Sequence, residues 1–239
     1  MQTKKILLLG SQHGTEVLGE LLFAHIQQNR PELLPHVTHM TGNPRARKLG
    51  IRYIEKDMNR SYTGGKDTYE ERRAAKVLRH IRETGYDLVL DLHTTTCVQP
   101  PCLIVCDLDT PASRYLRATS FERIVHMQHE IGGVSLIGKA PESVVIEVYK
   151  EMVDKKLLEQ LCDDIVRYIH NQASTVTKTV FEVKHLLGKD ELTDSEAEKL
   201  ENFVMSKHGF YPILTGNNSY KKQTNYLGFK AHNAYPIKV

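Results

Sequence analysis

The sequence predicts an α/β protein whose sheet is packed by helices, followed by a smaller β-rich unit. Three observations predict it. Short apolar runs alternate with longer segments whose apolar residues recur at helical spacing. The runs ILLLG (6–10) and YDLVLDL (86–92) are nearly continuous, as strands covered on both faces are. Beyond about residue 172 the pattern shifts to alternating Thr, Val and Lys, then to short Tyr-, Asn- and Gly-rich segments. The expected division is an α/β domain over residues 1–172 and a β-rich domain over 173–239.

Lys4 to Leu9 reads as the first strand, ending at Gly10. Lys4 and Lys5 before Ile6-Leu7-Leu8-Leu9 have the look of a secretory leader, but the apolar run is too short and no small-residue cleavage site follows. Thr15 to Gln28 carries Val17, Leu18, Leu21, Leu22 and Ile26 at helical spacing, and Pro31 ends it. His36 to Thr41 is a second strand, closed by Gly42-Asn43-Pro44. Arg45 to Ile54 is irregular or a short helix, and a Gly64-Gly65 loop follows. Tyr69 to Glu83 is a charged amphipathic helix with Ala74, Ala75, Leu78 and Ile81 on one side. Tyr86 to Leu92, Cys102 to Cys106, Phe121 to Met127 and Ser143 to Tyr149 read as strands, with a helix over Pro111 to Thr119. Val153 to Asn171 is a long helix. Thr175 to Val183 alternates like an antiparallel strand, and Thr193 with Glu196 forms a capping-box pattern.

A net charge of +3, with acidic and basic residues interspersed, is too small to attract nucleic acid by bulk electrostatics. No apolar stretch approaches the roughly 20 residues that span a bilayer. The expected partners therefore exclude nucleic acid and membrane, while a homo-oligomer stays open. Cys97, Cys102 and Cys106 cluster but lack the second pair of a zinc ribbon, so with Cys162 they read as buried free thiols of a cytoplasmic protein.

The chemistry-bearing residues sit where strands end. Gly10 is followed by Ser11-Gln12-His13-Gly14-Thr15-Glu16, which places His13 and Glu16 at the carboxyl end of the first strand, the edge at which open α/β sheets bind ligands. An imidazole and a carboxylate three residues apart on a turn can converge on one cation, and a catalytic Zn²⁺ needs a third ligand and an open position. His93 ends YDLVLDLH in the same way, and Asp91, on the same side, is placed to orient a histidine ligand. A single such histidine is more often a packing residue; three ligand-type residues at two strand ends point to a metal site. Glu147 stands in VVIEV, where burial is costly unless the carboxylate is paired or functional; beside a zinc site it would serve as general base and acid. Its bland alternative is an edge-strand residue facing solvent. Arg45, Arg52 and Arg60 bring guanidinium groups, which grip carboxylates and can polarise a carbonyl oxygen, and Asn59-Arg60 in a loop is suited to an anionic substrate; the bland alternative for scattered arginines is a solvated face.

In order along the chain stand H-G-T-E (13–16), N-P-R-A (43–46), R-Y-I-x-x-D-M-N-R (52–60), D-L-H-T-T (91–95) and V-I-E-V (145–148). This ordered set resembles the aspartoacylase/succinylglutamate desuccinylase family, relatives of the zinc carboxypeptidases. The resemblance implies a mixed central sheet flanked by helices, one zinc per chain, and a β-rich C-terminal domain that narrows the substrate channel. It implies His13, Glu16 and His93 as zinc ligands, Glu147 as the catalytic glutamate, and Arg52 as the residue that polarises the scissile carbonyl. It implies Asn59 and Arg60 as the carboxylate-binding pair, and Tyr220 as a substrate-binding tyrosine. The implied activity is zinc-dependent hydrolysis of the amide bond of a small anionic N-acyl amino acid, first N-acetyl-L-aspartate to acetate and L-aspartate. N-succinylglutamate desuccinylation, carboxypeptidase-like cleavage, and binding of an N-acyl amino acid without turnover are the alternatives. One departure stands out: the arginine with which aspartoacylase recognises the aspartate side chain is missing before Glu147, where only Lys139 is basic.

Overall fold

The computed structural model describes residues 3–216 and 224–237. Its centre is one mixed sheet built from β1 (Ile6–Gly10), β2 (Val37–Thr41), β3 (Leu88–Thr95), β4 (Cys102–Val105), β5 (Arg123–Met127), β6 (Ser143–Tyr149), β7 (Lys178–Gly188), β8 (Tyr211–Ile213) and β9 (Tyr226–Ile237). The strand order is β2-β1-β3-β6-β4-β5-β7-β9-β8. β2, β1, β3 and β6 run parallel, as do β4, β5 and β7, with an antiparallel step between β6 and β4. β9 pairs antiparallel with both β7 and β8.

Alternation along the strands divides the core between two faces. Ile6 and Leu8 of β1 and Leu88, Leu90 and Leu92 of β3 pack with α1 (Leu18–Asn29), α4 (Ser113–Ala118) and α5 (Lys155–Ile169). Leu7, Leu9 and Val89 face the other way, against Ala74, Val77 and Ile81 of α3 (Tyr69–Thr84). Asp91 and His93 follow Val89 at two-residue steps and so share the α3 face. A reciprocal Thr68/Glu71 capping box starts α3, and Gly85, with a φ of 63°, ends it in the left-handed conformation that glycine adopts without strain. Asn43 caps α2 (Pro44–Leu49), with Pro44 at its first position, where the missing N–H costs nothing.

Several elements differ from expectation. β3 runs on through Thr95 instead of stopping at Leu92, because His93, Thr94 and Thr95 find partners in Glu147, Val148 and Tyr149 of β6. β7 starts at Lys178, three residues beyond the expected start, and continues to Gly188. It pairs parallel with β5 as well as antiparallel with β9; two-residue alternation does not encode strand direction. β9 is 12 residues long where short segments were expected. The strands after residue 172 extend the same sheet that carries β1 to β6. All four cysteines are free and buried. Among the described residues no helix is long and apolar enough to cross a membrane.

Candidate metal centre and active site

After Gly10 the chain turns through Ser11, whose φ of 49° is left-handed and unusual for a residue with a side chain. Its hydroxyl secures the turn by hydrogen bonds to the Glu16 carbonyl at 2.8 Å and the Glu20 carboxylate at 2.6 Å. Gly14 then lies directly on α2: a Cβ there would stand 2.2 Å from the Ala46 carbonyl carbon. Its N–H donates to the Arg52 carbonyl at 3.0 Å, tying the His13–Glu16 turn to the segment that bears Arg52.

The turn places His13 Nδ1 2.7 Å from Glu16 Oε1, while β3 delivers His93 Nδ1 to within 2.8 Å of Glu16 Oε2. One ligand atom from each of the three, all buried, lies within 4.8 Å of the others. The opposite ring nitrogens face carboxylates: His13 Nε2 is hydrogen-bonded to Asp57 Oδ1 at 3.0 Å, and His93 Nε2 lies 3.1 Å from Asp91 Oδ1, a charge contact without hydrogen-bond alignment. This arrangement, with one nitrogen converging and the other anchored on a carboxylate, is how proteins orient metal-ligating imidazoles. Asp91 is steadied in turn by the Gln12 amide, whose Oε1 accepts a hydrogen bond from Tyr62 at 2.6 Å. Two imidazoles and one carboxylate from a buried, anchored set fit a four-coordinate Zn²⁺ with one open position.

Electrostatics bind the cluster together. Burial acts to raise the Glu16 carboxyl, but His13 and His93 outweigh it and hold the group well below the carboxylate range. Burial likewise disfavours charge on His13 and His93, and their carboxylate neighbours reverse the sign, raising both imidazoles. Asp57 follows the same logic: burial opposes its charge, and the His13 hydrogen bond with the charges of His13, Arg52 and Arg60 prevails, depressing it strongly. Asp57 is also the clamp on Arg52, accepting from Nε at 3.3 Å and Nη2 at 3.0 Å, while Arg52 Nη1 reaches Glu16 Oε1 at 3.5 Å.

Glu147 is the register partner of His93 across β3 and β6. β6 lies inside the sheet between β3 and β4, so an edge-strand position is ruled out. Burial pushes the Glu147 carboxyl up to about 7, and the positive His93 only partly offsets this. Asn59 and Arg60 sit on a 3₁₀ turn (Met58–Arg60) whose start is capped by the Asp57 side chain. Arg60 Nη2 donates to the Tyr226 hydroxyl at 2.8 Å and Nη1 to the Asn59 carbonyl at 3.0 Å. Asn59 Oδ1 is buried with no hydrogen-bond partner among the described residues.

His13, Glu16, Arg52, Asn59, Arg60, His93 and Glu147 therefore line one cleft, with Asp57, Thr94 and Thr95 between them. Tyr220 lies outside the described residues. Lys139 is exposed and lines a separate cleft with Tyr62, Arg79 and Arg82. Asp57, Gln12 and Tyr226 had no role assigned from sequence. Asp57 could have been found there, as the acidic residue of R-Y-I-x-x-D-M-N-R; Gln12 and Tyr226 carry no local signal.

The catalytic-domain profile shared by succinylglutamate desuccinylase and aspartoacylase matches residues 2–177. The chain belongs to the succinylglutamate desuccinylase/aspartoacylase family. Within the family it is 32% identical over 117 residues to a probable aspartoacylase of Prochlorococcus marinus (strain NATL1A), a match covering 44% of this chain and 38% of that protein. It is 34% identical over 123 residues to mouse (Mus musculus) aspartoacylase, covering 44% and 38%. It is 26% identical over 255 residues to an N-acyl-aromatic-L-amino acid amidohydrolase (carboxylate-forming) of Rattus norvegicus, covering 91% of this chain and 79% of that protein. The match to the aspartoacylases thus spans about two fifths of their length. The fold is shared with murine aminoacylase 3, at a TM-score of 0.70 and 18% identity over 99% of this chain and 98% of that one. It is shared also with the succinylglutamate desuccinylase of Chromobacterium violaceum, at a TM-score of 0.67 and 17% identity over 99% and 86%.

Proposed function

We propose that this protein is a zinc-dependent amidohydrolase that splits a small N-acyl amino acid into a carboxylate and a free amino acid. The observation that carries this reading is the convergence of His13, Glu16 and His93 on one point in a cleft that also holds Glu147. His13, Glu16 and His93 would hold the zinc, which when bound supplies Lewis acidity that acidifies a water and polarises a carbonyl oxygen. Glu147 takes a proton from the attacking water and passes it to the leaving amine nitrogen, a shuttle suited to a carboxyl poised near neutrality. Arg52, pinned by Asp57, donates toward the oxygen on which negative charge develops. Arg60, steadied by Tyr226, binds the carboxylate of the amino acid together with Asn59.

In this reading residues 1–172 carry the chemistry, and residues 173–239 are the unit from which Leu214, Tyr226 and Phe229 reach the site. A cytoplasmic setting suits four buried free thiols. The deciding experiment is a hydrolysis screen on N-acetyl-L-aspartate, N-succinyl-L-glutamate, other N-acyl amino acids and a blocked dipeptide, with zinc content measured on the same sample. Release of a free amino acid by zinc-loaded protein supports the reading. Stoichiometric zinc without hydrolysis of any substrate sinks it in favour of a binding protein, and cleavage of the dipeptide alone favours a peptidase.

A further inference from the structure

Beside the polar cleft, and sharing Asn59, Arg60 and Glu147 with it, lies a second cavity walled by Ile104, Met127, Ile137, Val145, Leu214 and Phe229. These residues belong to the hydrophobic cluster on the site face of the sheet, and each retains between 3% and 7% exposure. Val145 stands two residues before Glu147 on β6, and Ile104 is its register partner on β4, so the apolar wall starts where the chemistry stops. Ser135, a polar residue at the rim, has turned its hydroxyl to the Gly132 carbonyl. Arg60 is the only cation of this cavity among the described residues, and its guanidinium is engaged by Tyr226 and Asn59. Lys139 lines a different cleft and does not enter it.

The two cavities divide an N-acyl amino acid unequally. His13, Glu16, His93 and Arg52, placed to act on the acyl carbonyl, line only the polar cleft. Asn59, Arg60 and Glu147 line both. These are the residues assigned to the carboxylate and to the scissile nitrogen, and the Cα lies between those two groups. A side chain leaving Cα on this flank therefore enters the apolar cavity. We infer that this cavity is the side-chain subsite and that it selects N-acyl amino acids with an aliphatic side chain of about leucine or methionine size. This deepens the N-acyl amino acid reading and rests on it. An aspartate carboxylate placed there would lose its water and, among the described residues, gain no cation beyond Arg60. A benzene ring occupies an apolar cavity of roughly 150 Å³, whereas this one offers about 70 Å³.

The test is a panel of N-acetyl-L-leucine, -methionine, -phenylalanine, -aspartate and -glycine on the zinc-loaded protein. The expected kcat/KM for leucine or methionine exceeds that for glycine and for aspartate by at least about tenfold, and exceeds that for phenylalanine as well. Preference for aspartate overturns the subsite while leaving the amidohydrolase reading intact; preference for phenylalanine overturns the aliphatic assignment. Ile137→Ala, which widens the cavity, is expected to raise the phenylalanine-to-leucine ratio, and an unchanged ratio counts against the subsite. Equilibrium binding of N-acetyl-L-leucine and N-acetyl-L-aspartate to zinc-loaded Glu147→Ala provides a readout free of turnover. Tighter binding of the leucine compound supports the proposal. Tighter binding of the aspartate compound, or binding of neither, overturns it.

Discussion

His93 and Glu147 are register partners on adjacent parallel strands, so a candidate metal ligand and the candidate proton carrier leave the sheet from the same rung. Parallel register directs the two side chains to the same face, and β3 and β6 both end at the cleft. The distance between these two groups is thus set by the sheet, which varies little, and the remaining groups are brought to them by turns.

If Glu147 carries the proton, Glu147→Gln retains shape and loses the titrating group. Turnover should fall by about 10²–10⁴-fold with zinc still bound at one equivalent. Steady-state kinetics and metal analysis on one preparation check this; loss of zinc along with activity would assign Glu147 to the metal instead.

On the proposed reading, zinc competes at His13 and His93 with protons that Glu16, Asp57 and Asp91 favour. Raised imidazole values mean that proton competition persists to higher pH than for free histidine, so zinc affinity should rise as pH increases from about 6 to 8, with proton release on binding. Calorimetry in buffers of different ionisation enthalpy reads the released protons directly. Zinc should also raise the Tm of the metal-free protein, since it binds the native state preferentially, and His93→Ala should abolish that increase.

Asp57 touches both His13 and Arg52. Asp57→Asn keeps the size of the side chain but removes the charge that orients the imidazole and clamps the guanidinium. The expected result is a loss of about 10–100-fold in zinc affinity, together with a lower kcat at saturating zinc. Competition with a chelator of known affinity measures the first effect.

Tyr226→Phe deletes a hydroxyl that receives Arg60 Nη2. A hydrogen bond to a charged group contributes about 1.5–3 kcal/mol, part of which water recovers at this half-buried site. KM should therefore rise by about tenfold with kcat little changed, because ground state and transition state lose the same carboxylate grip. A drop in kcat at constant KM would contradict the positioning role.

Much of the site was legible in the sequence because its residues sit at ends of elements that local patterns announce. The apolar run before Gly10 located His13 and Glu16, and YDLVLDL located His93. Glu147 was found through its cost: a carboxylate within VVIEV demands a reason. Arg52, Asn59 and Arg60 rested on the ordered motif more than on any local rule. Gln12 went unassigned because it acts through Asp91, which is far away in sequence and adjacent only in space. The direction of β7 and the length of β9 were not legible, since alternation is the same in parallel and antiparallel pairs and a ladder extends as far as its partner allows.

The amino-acid sequence by itself determined the residue types of the candidate site, the strand ends that bear them, the helices flanked by their own caps and stops, and the family. Tertiary structure alone decided that the Nδ1 atoms of His13 and His93 both face Glu16, that Asp57 joins His13 to Arg52, and that an apolar cavity opens beside Glu147. The physical reason is range. Periodicity and capping act over a few residues along the chain. Which carboxylate anchors which ring, and which side chains wall a cavity, depends on contacts between strands and turns that only the folded sheet brings within reach.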